Sequence, residues 1–341
     1  MFIGSKNLQI IMKKLYLSLV VAIISSINIF AQNTQVATLS HGTNITMFYG
    51  GFALQAAYEA AVSGDIISLS GGAFQSVNIT KPIVLRGAGI DSDNPTYIIN
   101  DFDIEIPDNI PAGDTNRLSM EGIRCTGRID VSNTLCNCYF YKCQFSGSVI
   151  FDEASSKRTS HFINCKINEG VSLHENNDAL FVNCFIRDGY IEDAIATFMN
   201  CVISIYDAYE LRNSQFLNCI FDGRDTSYGL PASSVAANCV SVNDVAYMFS
   251  DLQQKTNCKK SSCEEVFKTY KGEYSDDETF ELTDAAKTTM LGKDGTQIGL
   301  YGGLVPYSST PSYPLITKMN VSNKTTADGK LSVDIEVSAA E

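Results

Sequence analysis

The chain has 341 residues, with 25 Lys and Arg against 38 Asp and Glu and a formal net charge of −13. That balance excludes a nucleic-acid groove, whose phosphates need a basic surface, and it disfavours polyanionic ligands unless a local basic patch or bound cation reverses the field. Eleven cysteines without a single tryptophan are the other compositional oddity.

At the start, Lys13 and Lys14 precede an apolar run from Leu15 to Phe30, and small Ala31 offers a cleavage site before Gln32. Residues 1–31 therefore read as a signal peptide with Met12 as the natural start, and the protein is expected to be exported: periplasmic, on the outer surface or secreted. The run is short for a membrane span and nothing like it recurs, so no span is expected in the mature chain.

An amino-terminal cap is expected over residues 32–63. Within it "FALQAAYEAAVSGD" (52–65) is Ala-rich, amphipathic and closed by Gly64, which predicts a helix over about 52–62. "DIISLSGGAF" and "VNITKPIVLRGAGI" follow as the first of a series of short strand-like runs that fills residues 64–243.

Four stretches of that series are nearly alike: "FINCKI" (162–167), "FVNCFI" (181–186), "FMNCVI" (198–203) and "FLNCIF" (216–221). Cys125, Cys143, Cys165, Cys184, Cys201, Cys219 and Cys239 recur at nearly even spacing. A disulfide framework has no reason to keep a period, whereas a repeat does. Short strands at such a period, broken by Gly, Asn and Asp and without crossover helices, fit rungs of a parallel β-solenoid stacked about 4.8 Å apart. The fold class is all-β, a right-handed parallel β-helix. Strict alternation would turn the four Phe rings outward. A corner at the Asn, which tolerates left-handed backbone angles, lets Phe end one strand and Cys open the next with both pointing inward. Asn164, Asn183, Asn200, Asn218 and Asn238 should then stack as an amide ladder, and the ladder thiols should act as small buried filler. One thiol per rung in a row does not build a four-ligand metal site. Off the ladder, Cys258 and Cys263 in "NCKKSSC" are the best-placed pair for a disulfide.

Residues 244–305 lose the period and read as irregular carboxy-terminal rungs and a cap. After them "PYSSTPSYP" reads as a linker, and "LITKMNVS" and "KLSVDIEVSA" as two strands of a tail within residues 306–341.

Chemistry on a solenoid sits on outward residues in register. Counting nine positions past the ladder Cys gives Asp152, His174, Asp193 and Glu210, thickened by Glu153, Glu175 and Glu192. Carboxylates one or two rungs apart suit a general acid and base pair, and Asp152, Asp193 and Glu210 suit calcium; no other cofactor is required. The competing reading is a solvated acidic edge that prevents lateral pairing. His41 and His161 have no partner visible in the sequence. Arg187 with Asp188, Arg212, and Arg224 with Asp225 could grip a carboxylate, and Tyr190, Tyr206, Tyr209 and Tyr228 could stack on sugars.

The passage Gly64, Asp65, Ile67, Leu69, Gly72, Phe74 resembles the amino-terminal coil of parallel β-helix proteins of the pectin-lyase-like superfamily, and "DGTQIGLYGG" (294–303) is similar to the closing segment of exported β-helix proteins of Bacteroidetes type. The resemblance implies the fold and leaves the activity open. The Arg-x-Pro-x-x-Arg motif of the family's lyases and the Asn-Thr-Asp and Gly-His-Gly motifs of its hydrolases are missing. The only Asp-Asp, Asp276 and Asp277, lies past the regular rungs. The expectation is therefore a non-catalytic glycan-binding or cell-surface structural protein, with polysaccharide or cell-surface proteins as partners. The alternatives are a polysaccharide lyase or glycoside hydrolase, or an adhesive or purely structural repeat.

Overall fold

A computed structural model of the chain is a parallel β-solenoid of about nine turns. It describes residues 35–107, 117–132, 137–155, 157–191, 194–223, 228–243, 248–325 and 329–338. The expected signal peptide and its Met12 lie outside these residues. Three sheets run along the axis: sheet A with twelve strands, sheet B with ten and sheet C with five. One turn shows the path. Arg158–Ile163 lies in A, Lys166–Ile167 in B and Val171–Leu173 in C, and Asn177–Val182 returns to A one rung on.

The A-to-B corner is the repeated motif. Asn164, Asn183, Asn200, Asn218, Asn238 and Asn257 all have positive φ, between 50° and 57°, so two consecutive strands each turn their alternate residues inward. The rings of Phe140, Phe162, Phe181, Phe198 and Phe216 form one buried stack with neighbouring centroids 4.7–4.9 Å apart. Each ring contributes roughly 1.5–3 kcal/mol through burial alone. The thiols lie in the adjacent column, and each S–H is directed at two carbonyl oxygens. That of Cys184, for example, is 3.2 Å from the Phe162 oxygen and 3.3 Å from the Val182 oxygen.

Register corrects the ladder's membership. Cys125 pairs with Phe145 and belongs to the neighbouring column, while Ile123 occupies the ladder position below Cys143. Lys259 pairs with Val240, so Cys258 stacks on Cys239 as the seventh rung. Cys263 lies in another element, its Sγ 3.1 Å from Asn243 Oδ1, and neither it nor Cys258 is in a disulfide. The amide ladder also has a limit. Asn257 donates to Asn238, Asn238 to Asn218 and Asn218 to Asn200. Asn200, Asn183 and Asn164 turn to carbonyls of the carboxy-terminal chain instead.

At the amino-terminal end, strands β1 (Val36–His41) and β2 (Asn44–Tyr49) form an antiparallel hairpin on the edge of sheet A. The expected helix is present as α1 (Ala53–Ala60), which buries Ala53, Leu54, Ala57 and Tyr58 at the solenoid's end. His41 does have a partner: its Nδ1 is 2.7 Å from Asp65 Oδ1.

At the other end, residues 263–301 fold back over the outer face of sheet B. Helices α2 (Cys263–Val266) and α3 (Asp284–Thr289), both capped by a hydroxyl, belong to this cap. Its Val266, Phe267, Tyr270, Phe280 and Leu300 form a second core with Phe185, Val202, Ile220 and Val240 of sheet B. Beneath it the fully buried Asp222 accepts from Ser204, Asn243 and Tyr270.

The stretch expected to be a linker is a strap lying along the Asn corners. Asn183 Nδ2 donates to the Leu300 and Gly302 oxygens at 2.6 and 2.8 Å, and Lys142, which stands where other rungs have Asn, donates to the Thr310 oxygen at 2.6 Å. At Gly122 (φ +69°) a Cβ would meet Pro311 Cγ at 3.0 Å. The Tyr313 hydroxyl donates to the Gly87 oxygen. Beyond the strap, Leu315–Thr325 and Leu331–Ser338 form a separate antiparallel two-stranded sheet.

Candidate binding cleft

The outward residue that follows each ladder position defines one column on sheet B. In register it reads Tyr97, Arg124, Gln144, Lys166, Phe185, Val202, Ile220, Val240, Lys259. The apolar part, Phe185 to Val240, is sealed by the carboxy-terminal cap. Next to it, Arg124 and Lys166 line an open cleft of about 580 Å³, bounded by Asp91 and Ser92, by residues 276–279, and by Leu300, Tyr301 and residues 307–310.

Most polar groups around the cleft are already engaged. Arg124 donates to the Ile90 oxygen at 2.5 Å and pairs with Asp91 at 3.3 Å. Asp276 accepts from Asn168 and Tyr274, and Glu278 Oε1 accepts from the Thr269 hydroxyl and the amides of Thr279 and Phe280. Three further groups bear on a ligand. Lys166 is 8% exposed, and among the described residues its ammonium meets only the Asp276 carbonyl oxygen, at 3.4 Å, and the Tyr307 ring, 6.0 Å to the centroid. The Tyr307 hydroxyl is buried with no hydrogen-bond partner among the described residues, and burial pushes its pKa well above the ordinary tyrosine value. Asp277 takes no hydrogen bond among the described residues.

A desolvated ammonium without a carboxylate is costly unless a ligand group completes it. The cleft therefore offers a cation and a free carboxylate, flanked by Tyr301, which stands edge-on to Tyr307 at 6.1 Å, while the Tyr307 hydroxyl itself is out of contact with solvent.

The acidic stripe inferred by counting does not stay in register. Phe151 pairs with Leu173, so Asp152 and His174 are neighbours. Leu173 pairs with Ile191; Glu192 and Asp193 lie outside the described residues. Ile191 bridges Leu211, so the next position is Arg212 and Glu210 is displaced by two residues. The proposed calcium ligands Asp152 and Glu210 thus fall in different columns, and among the described residues no three His, Cys, Asp or Glu converge on a metal position.

The turn carrying Asp152 and His174 is pinned from inside. Buried Asn177 donates to the Asp152, His174 and Glu175 oxygens, and buried Arg158 donates to Asn177 and to the Val131 oxygen. His161 stacks on Tyr139 at 4.6 Å, and burial together with Arg117 holds its pKa below the ordinary value. Arg187 leans over Tyr274, a member of the cap, at 5.9 Å, and Asp188 Oδ1 accepts from the Tyr206 amide. Arg212 lies over Tyr209, and Tyr209 and Tyr228 are exposed 6.4 Å apart. Arg224 and Asp225 lie outside the described residues.

Sheet composition and this groove together define a parallel β-solenoid with a polar cleft on one outer face. No family model, curated protein or solved structure matches the chain.

Proposed function

We propose that the protein is an exported, non-catalytic glycan-binding solenoid of the pectin-lyase-like kind, which holds a sugar chain in the cleft beside Arg124 and Lys166. The observation that carries this reading is the buried Lys166 ammonium, which has no carboxylate partner among the described residues, facing a polar groove that crosses successive rungs. A polymer with many hydroxyls can meet Arg124, Lys166, Asp277 and the tyrosines in turn, and groups fixed on stacked strands lose little entropy on binding. The non-catalytic part rests on the carboxylates. Three of the four are tied to structural donors, which leaves Asp277 without the second carboxyl that acid and base catalysis on a glycosidic bond requires.

The test is retention of the purified protein on a panel of immobilised neutral and acidic polysaccharides, with parallel assays for reducing ends and unsaturated products. Retention without turnover, lost in Lys166→Met while the circular dichroism is unchanged, is the expected result. Turnover would replace it with the lyase or hydrolase reading, and absence of retention on every glycan would leave the structural reading.

A further inference from the structure

Among the described residues, strand β2 is the outermost strand of sheet A at the amino-terminal end. Its sequence, "NITMFY", has no charge, no proline and no lysine, the devices that normally keep an edge strand from pairing. The opposite end of the solenoid is guarded: its last strands, Gln254–Thr256 and Lys259–Lys260, expose Lys255, Lys259 and Lys260. The two ends of one molecule thus differ in what they permit to approach.

The hydrogen-bonding sides of β2 follow from its hairpin. Gly50 N–H donates to the Gln35 oxygen, and the register pairs Phe48 with Ala37, Thr46 with Leu39 and Asn44 with His41. Alternation then turns the backbone N–H and C=O of Ile45, Met47 and Tyr49 away from β1, towards the open edge. Their side chains share one face of the hairpin and are 68%, 55% and 64% exposed; Phe52, three residues beyond the strand, is 68% exposed as well.

We infer that this edge is a homodimer interface, occupied by β2 of a second copy in antiparallel register about a two-fold axis at Met47. The strand is self-complementary in that register. Met47 meets Met47 of the partner subunit, and Ile45 meets Tyr49 of the partner subunit, each pair exchanging two N–H···O bonds on the sides that are open. The apolar row of one copy continues that of the other, joining two twelve-stranded sheets edge to edge. Charge does not oppose this occupant. In a chain with a net charge of −13, two copies repel over most of their surfaces, and the uncharged β2 edge lets them meet with no like charges opposed.

Sedimentation equilibrium over a concentration series should show a reversible dimer. Met47→Lys, which opposes two lysines whose Cα atoms lie about 5.5 Å apart at the axis, should abolish it, while Leu304→Lys on the exposed strap should not. In Met47→Cys, mild oxidation should give a covalent dimer, because paired strands at this site bring the two Cα atoms within disulfide range. A wild-type protein that stays monomeric throughout the series would overturn the inference. So would a dimer that survives Met47→Lys, since it would have to form through another surface. Circular dichroism of each variant separates lost pairing from lost folding.

Discussion

Asn183 shows how much one side chain does at the corner. It holds φ 50°, and its buried amide donates to the Leu300 and Gly302 carbonyls, where the cap runs into the strap. Replacing it by Gly keeps the backbone angle accessible and loses only the hydrogen bonds, at about 1–3 kcal/mol. Replacing it by Ala adds left-handed strain, for about 2–4 kcal/mol in all. Urea denaturation should therefore rank wild type above Asn183→Gly and Asn183→Ala lowest; equal losses would mean the angle is not under strain. The neighbouring thiols make a prediction about pH. Burial raises the pKa of Cys143 from 9.0 to about 12, and it also raises those of Cys165, Cys201 and Cys239. In the unfolded chain these thiols ionise first, so the unfolded state binds fewer protons above pH 9 and stability falls as the pH rises. It is whole below the unfolded value and is lost towards 12, at up to about 1.4 kcal/mol per pH unit for each thiol. Under reducing conditions stability should be flat through neutrality and drop steeply above pH 9, and Cys143→Ala should lessen that slope by one proton.

At the scale of elements, the rungs were legible in the sequence and the strap was not. A positive-φ corner leaves a local signature, Phe, aliphatic, Asn, Cys, because strand alternation and the turn act over six residues. The residue after each ladder Cys was equally readable. Gln144 and Lys166 are polar while Phe185, Val202, Ile220 and Val240 are apolar, and that switch marks where the sheet passes from open cleft to cap. Counting from Cys failed for the acidic stripe because turn lengths differ between rungs, which moved Glu210 out of the column. The strap escaped for another reason: its contacts join residues far apart in sequence, such as Lys142 with Thr310 and Gly87 with Tyr313, and nothing local in "PYSSTPSYP" announces a docking site. Gly122 and Gly89 record the contact indirectly, since at both a Cβ would press on Pro311, at 3.0 and 3.1 Å. Gly122→Val should lift the strap locally. Limited proteolysis should then cut within residues 306–313 several times faster than in wild type, while the Phe stack keeps the solenoid intact; an unchanged cleavage rate would show that the strap does not depend on this contact.

Across the whole molecule, a solenoid in which each rung touches only its neighbours should unfold from its ends, with stability summed from nearest-neighbour terms. This chain departs from that scheme, because the end of the cap is bonded at Gln297, Leu300 and Gly302 to the corners of Asn200 and Asn183, and the strap that continues it is bonded to those of Asn164, Lys142 and, through Tyr313, Gly87. Losing one of those rungs alone would also break strap contacts at the others, which makes them one cooperative unit. Rungs beyond Asn218 have only the amide ladder and the cap, and the last strands, Gln254–Thr256 and Lys259–Lys260, are exposed. Native-state hydrogen exchange should therefore show the corner amides of Lys142, Asn164, Asn183 and Asn200 opening together near the global free energy, and those of the last rung opening far more readily. Ending the chain after Val305 should split the first group, so that amides nearer the amino-terminal end exchange at graded free energies rather than a common one. If the group still opens as one without the strap, cooperativity resides in the Phe and Cys columns themselves, and the strap serves only to wall the cleft over Lys166.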